Sequence, residues 1–161
     1  MKMLIVRHGE AEPLQTDDAS RQLTAKGAEQ VTALWQTLRD KEVKVTRLVA
    51  SPFTRTRQTA ALIAAYYPGL EVEYDEVLLS ESEPQAVLDW LSAQPQQDGL
   101  VLVSHMPLVA ILTGMLTEST SARLPFVPGM VTCLDVEVAA IAGARLRWCI
   151  SPETQVRCNE K

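Results

Sequence analysis

Four short apolar or β-branched runs, at positions 3–6, 47–50, 71–74 and 100–103, stand apart from longer stretches with a helical period. Runs of this length read as strands. Between the first two, Val31, Leu34, Trp35 and Leu38 fall at i, i+3, i+4 and i+7 behind Thr24, a residue suited to cap a helix reaching about Lys41. Ser51-Pro52 follows the second run as a cap with a first-turn proline, and the alanine-rich helix it opens is expected to stop near Pro68-Gly69. A third helix is predicted over residues 83–93, with Val87, Leu88 and Leu91 inward, and a fourth from Pro107.

Strand and helix therefore alternate. Right-handed crossovers place helices on both faces of a parallel sheet, so the expected fold is α/β, a three-layer sandwich with a mostly parallel central sheet flanked by helices. Residues 131–138 and 144–150 break the alternation as two extended runs joined by a short loop containing Gly143, which predicts an antiparallel hairpin at one edge. Trp148 alternates with Leu146 and Ile150, the spacing of one packed sheet face. No repeat or linker interrupts the pattern, and a single domain over residues 1–161 is expected.

Composition removes whole classes of function. With 20 acidic against 15 basic residues the net charge is -5, the wrong sign for a surface that binds nucleic acid by counterion release. Neither the run at 3–6 nor that at 108–116, broken by Thr113 and Gly114, has the length of a signal or a membrane span. Cys133, Cys149 and Cys158 are odd in number and lack C-x-x-C spacing, so neither a disulfide framework nor a zinc site is indicated, and a cytoplasmic monomer is the expectation. The polar residues 155–161 are expected to be unstructured.

Chemistry gathers where three of the strands end. The first leads into Arg7-His8-Gly9, the second into Ser51-Pro52 with Arg55 one turn on, and the fourth into Ser104-His105. Ligands of an open parallel sheet lie beyond the carboxyl ends of its strands, so both histidines of the protein should share one crevice. Arginine's planar fork matches phosphate oxygens, which suits Arg7 and Arg55 to hold a phosphoryl group against an imidazole. Their charge disfavours imidazolium and keeps the lone pair of His8 free to attack. No metal or other cofactor is required, since the arginines and a protonatable His105 can spread the transition-state charge.

Four blocks in order, Arg7-His8-Gly9-Glu10, Arg21-Gln22-Leu23-Thr24-Ala25-Lys26-Gly27, Ser51-Pro52-Phe53-Thr54-Arg55-Thr56-Arg57-Gln58-Thr59 and Val103-Ser104-His105, resemble the histidine phosphatase superfamily. The phosphoglycerate mutase-like fold goes with that resemblance. Within the superfamily the chain is most similar to the small bacterial phosphohistidine phosphatases of the SixA type. The resemblance implies that His8 is phosphorylated, that Arg7 and Arg55 clamp the phosphoryl group, that His105 is the second pocket histidine, and that Arg21 is a further phosphate-binding arginine. Gly9 and Glu10 would shape the turn after the nucleophile. Ser51 reads as a helix cap and Arg57, two residues from Arg55, as solvated.

Larger members carry a glutamate between the third strand and third helix that protonates the leaving group. Here the segment 75–83 offers Glu81 and Glu83 among several acids, with no clean match. A departing alkoxide needs that proton far more than a departing imidazole does, which favours phosphohistidine as the substrate. The short connection between Tyr74 and Leu100 leaves no room for a large helical cap, so an uncovered crevice should admit a histidine on another protein, such as a histidine phosphotransfer domain or phosphocarrier. A small-molecule phosphomonoesterase or mutase, and a binding module without turnover, are the competing expectations.

Overall fold

The computed structural model describes residues 1–118 and 125–153. The expectations for residues 155–161, Cys158 included, fall outside the described residues. Six strands, β1 (Lys2–Arg7), β2 (Arg47–Ala50), β3 (Val72–Tyr74), β4 (Leu100–Ser104), β5 (Val131–Val136) and β6 (Ala144–Ile150), form one sheet in the order β3-β2-β4-β1-β5-β6. The first four in that order run parallel, while β5 and β6 are antiparallel neighbours and close one edge.

Helices α1 (Ala25–Asp40) and α2 (Thr54–Ala64) cover one face, and α3 (Pro84–Ala93) and α4 (Leu108–Thr117) cover the other. Met3 through Val6 are all buried for this reason: Leu4 and Val6 point to the α1 and α2 side, Met3 and Ile5 to the α3 and α4 side. A strand covered on both faces reads as a continuous apolar run. Thr24 caps α1 by accepting from the Gly27 N–H at 2.9 Å, and Val31, Leu34, Trp35 and Leu38 form its buried stripe. No helix among the described residues is long and apolar enough to cross a membrane.

Three local expectations are corrected. Helix α2 is capped in backbone terms by extended Phe53, without a side-chain bond, so Ser51 is not its cap. The same helix ends at Ala64, and turns carry the chain on to Gly69, whose φ of 84° suits a residue without a Cβ. In β6, Leu146 packs with the α3 and α4 core, whereas Trp148 and Ile150 pack with the α1 and α2 core. The register with β5 shifts between Cys133 and Leu134, which pair with Trp148 and Leu146 and leave Arg147 as the extra residue of a bulge. One inserted residue reverses the parity of every side chain beyond it.

Candidate active site

In the pairing of β1 with β4, Arg7 stands opposite Ser104, so the next residue of each strand, His8 and His105, emerges side by side. Their rings meet edge to face with centroids 5.4 Å apart. The His8 N–H donates to the Ser104 carbonyl at 3.1 Å, and the Ser51 N–H donates to Val103 at 3.0 Å, which brings the end of β2 into the same row. Arg55 enters from the first turn of α2 and is 4% exposed.

The tautomer of His8 follows from its partners. Nδ1 lies 2.7 Å from the Gly9 carbonyl oxygen, which can only accept, so the ring proton resides on Nδ1 and the lone pair on Nε2. Arg55 Nε donates toward that lone pair at 3.3 Å. Gly9 is held in turn by its N–H to Thr59 Oγ1 at 3.1 Å, while the Thr59 hydroxyl donates to the Arg55 carbonyl at 2.8 Å. Both polar groups of the Gly9 backbone are thereby engaged with residues of the site, and its part is to orient the ring of His8.

Helix α1 packs closely on this turn. A Cβ on Gly27 would overlap the Glu10 carbonyl oxygen, with Glu10 N only 2.9 Å away. Backbone cannot yield as a flexible side chain would, so Gly27→Ala is expected to displace the segment bearing His8 and to cost about 1–3 kcal/mol. Chemical denaturation and turnover measured together should show both losses; unchanged values would mean that the turn tolerates the shift.

Arg7 is half-buried and donates Nη1 to the Phe126 carbonyl at 2.6 Å. Arg21 donates Nε to the Glu12 carbonyl at 2.9 Å and Nη1 to Asp18 Oδ1 at 3.1 Å. Asp18 also receives Arg55, through Nη1 to its carbonyl at 2.7 Å and Nη2 to Oδ2 at 3.2 Å. Arg57 lies on the surface, stacked 4.0 Å over the Tyr74 ring, with Nε donated to the Pro52 carbonyl at 2.6 Å. Glu81 and Glu83 are exposed, and neither side chain pairs with a member of this cluster.

Sequence reasoning missed four participants. Ser51 places Oγ 2.7 Å from His105 Nε2, Phe53 meets the His105 ring edge to face at 5.4 Å, Thr59 locks Gly9, and Asp18 joins two arginines. Only the last had a local signal, an acid three residues before an arginine in a loop.

Burial is the first cause of the low basicity of His8, whose pKa falls from 6.5 to about 4; the bond to Gly9 acts the other way, and Arg55, Arg7 and Arg21 add to the fall. Burial likewise leads for His105, brought down to about 3 with further contributions from Arg55 and His8. The sequence expectation credited the arginines alone and a protonatable His105; desolvation dominates instead, and both rings are neutral at pH 7.

A stability consequence follows. The unfolded chain binds protons on both histidines as pH drops through about 6.5, while the folded rings stay neutral down to about 4 and 3. Folding is therefore progressively disfavoured over that window, at up to roughly 1.4 kcal/mol per pH unit from each ring, and the contribution is fully present above about pH 7. Urea unfolding between pH 7.5 and 5, in phosphate-free buffer, should show this slope, and His105→Gln should lessen it; an identical slope in the variant would contradict the shift.

Three buried side-chain nitrogens lack a hydrogen-bond partner among the described residues: Trp35 Nε1 in the core, and Arg7 Nε and His105 Nδ1 in the site. Such orphans are uncommon in folded proteins, and two beside His8 indicate a place for an acceptor-rich ligand. Among the described residues no three His, Cys, Asp or Glu side chains converge so as to hold a metal ion.

Residues 3–81 match the histidine phosphatase superfamily, branch 1. The phosphohistidine phosphatase SixA of Escherichia coli strain K12 is 29% identical over an alignment that spans all of this chain and 97% of that protein. Among solved structures, the protein histidine phosphatase SixA complexed with tungstate superposes with a TM-score of 0.85 at 24% identity, over 94% of this chain and 97% of its own. A phosphoglycerate mutase from Plasmodium falciparum superposes at 0.67 with 19% identity, over 91% and 87%.

Proposed function

Because the chain belongs to the histidine phosphatase superfamily, we propose that it removes the phosphoryl group from a phosphohistidine on a signalling or phosphocarrier protein, through a covalent intermediate on His8. The observation that carries this reading is the pair of orphan buried nitrogens, Arg7 Nε and His105 Nδ1, beside a histidine whose Nδ1–H is fixed on Gly9 and whose Nε2 lone pair faces Arg55 Nε at 3.3 Å. A tetrahedral oxyanion supplies the missing acceptors, and phosphorus then lies against Nε2.

His8 Nε2 attacks phosphorus as the donor's N–P bond breaks and its imidazole departs, and water later attacks the phosphoenzyme, breaking the bond from phosphorus to Nε2 and returning its electron pair to the ring as phosphate is released. Arg55 gives up its bond to the His8 Nε2 lone pair and turns its fork to the phosphoryl oxygens. With the Ser51 hydroxyl donating to His105 Nε2, the His105 proton resides on Nδ1 and bonds another oxygen. The arriving dianion also raises the affinity of His105 for a second proton, by bringing opposite charge beside the ring.

Phosphohistidine is favoured over an ester because the acids between β3 and α3 are placed elsewhere, Asp75 accepting from the Val77 N–H at 2.9 Å and Glu76, Glu81 and Glu83 exposed, and a departing alkoxide needs such an acid far more than a departing imidazole does. The similarity to a phosphohistidine phosphatase along the whole chain supports the same choice. Phosphate release from a phosphohistidine-bearing phosphotransfer protein, run beside a panel of phosphomonoesters, tests it. A kcat/KM at least about tenfold higher on the phosphohistidine protein is expected; parity, or preference for any ester, would replace this reading with a small-molecule phosphatase.

A further inference from the structure

Asp18 is tied to two arginines of the cluster and has no part in the steps above. Its Oδ1 accepts from Arg21 and its Oδ2 from Arg55. Each carboxylate oxygen offers two lone-pair directions, so one remains open at each. The side chain is 44% exposed, whereas Arg55, His8 and His105 are 4%, 7% and 1% exposed. Of the side chains that Arg55 joins, Asp18 is the one that faces solvent. On one guanidinium, Arg55 Nη2 stands 3.2 Å from Asp18 Oδ2 and Nε stands 3.3 Å from His8 Nε2. Nucleophile and carboxylate are thus separated by a single guanidinium fork, the element that a phosphoryl group would bridge.

We propose that Asp18 receives the leaving group, its carboxylate accepting a hydrogen bond from the N–H of the substrate's imidazole and so selecting phosphorus on nitrogen over phosphorus on oxygen. This rests on the phosphohistidine reading given above. The donor ring arrives with phosphorus on one nitrogen and a proton on the other. His8 Nε2 gives its electron pair to phosphorus, the donor's N–P bond breaks, and that bond's pair returns to the donor nitrogen. The donor leaves as neutral imidazole with its proton still directed at Asp18. His8 becomes a phosphorylated imidazolium with its own proton still on Nδ1, donated to the Gly9 carbonyl. No proton crosses between the partners, so the step calls for no general acid.

Partial burial opposes the charge of Asp18, but the hydrogen bonds and charges of Arg21 and Arg55 outweigh it and hold the carboxyl below its usual range. The group is therefore an anion at neutral pH. Facing an ester, the same carboxylate meets a departing alkoxide, which carries negative charge and no proton to share, and it repels that group.

The experiment compares Asp18→Asn with the wild-type protein on two small donors that need no docking surface, phosphoimidazole and p-nitrophenyl phosphate. The ratio of kcat/KM for the nitrogen donor to that for the oxygen donor should fall by at least about tenfold in the variant, the scale of one charge-assisted hydrogen bond. Equal losses on both donors would overturn the inference, because they would assign Asp18 only to holding Arg21 and Arg55. Asp18→Glu, which keeps the charge, should recover part of the ratio; a ratio as low as that of Asp18→Asn would also overturn it. If the wild-type protein itself shows no preference for the nitrogen donor, the underlying phosphohistidine reading fails, a result separate from the comparison between variants.

Discussion

His8→Ala is expected to yield a folded protein that forms no phosphoenzyme and releases phosphate at least about 10^4-fold more slowly than wild type, the scale seen when a covalent nucleophile is removed. No neighbouring group can take its place. His105 is neutral, but its Nε2 is bonded to Ser51 at 2.7 Å, and the arginines have no lone pair to give. The substitution deletes the ring that Gly9 and Arg55 hold, yet the turn remains anchored by Gly9 N–H to Thr59 and by Gly129 N–H to the residue 8 carbonyl at 2.9 Å. Circular dichroism should therefore be unchanged. Brief incubation with a labelled donor, followed by acid and alkaline quenches, separates a phosphohistidine label, which acid destroys, from a phosphoester, which survives acid. Wild type should carry the acid-labile label and the variant none. Label persisting in the variant would move the nucleophile elsewhere.

How much of this was legible depended on whether a feature is set by neighbours in the chain or by contacts distant in it. The run at 3–6 reads as a strand because both its faces are buried, and the stripe from Val31 to Leu38 reads as a helix because its period is local. The convergence of His8, Arg55 and His105 was also legible, since parallel strands carry the residues after them to one edge of the sheet. Ser51 was misread for the opposite reason. Ser-Pro looks like a cap, but Phe53 stays extended and delays the helix by two residues, which leaves the hydroxyl to a histidine 54 positions away. The face reversal of Leu146 and Trp148 depends on a bulge against β5, and no pattern in β6 alone announces it. Asp18 became part of the site only through the loop that returns Arg21 beside it, closed by the pairing of Ala11 with Leu23.

Arg55→Lys, conservative by charge, is expected to lower kcat by about 10^2–10^3, the cost of losing one aimed donor to a developing anion. Arginine at this position serves three acceptors at once: His8 Nε2, the Asp18 carbonyl and Asp18 Oδ2. Its face also lies 5.4 Å from the Phe53 ring, and 4% exposure leaves little water to replace a lost bond. An ammonium is a point charge without a planar fork, and it cannot approach two phosphoryl oxygens while still holding the loop at Asp18. Burial already weakens the guanidinium's hold on its proton, with Asp18 countering and Arg21 adding to the effect. An ammonium in the same place begins from a lower pKa, and its charge is correspondingly less secure. The lysine variant should therefore lose rate in phosphoenzyme formation more than in its hydrolysis, because the first step needs both the phosphoryl clamp and an undisturbed Asp18. Pre-steady-state labelling resolves the two steps. Retention of wild-type kcat within about threefold would mean that charge alone suffices, and Arg7 would then have to supply the fork.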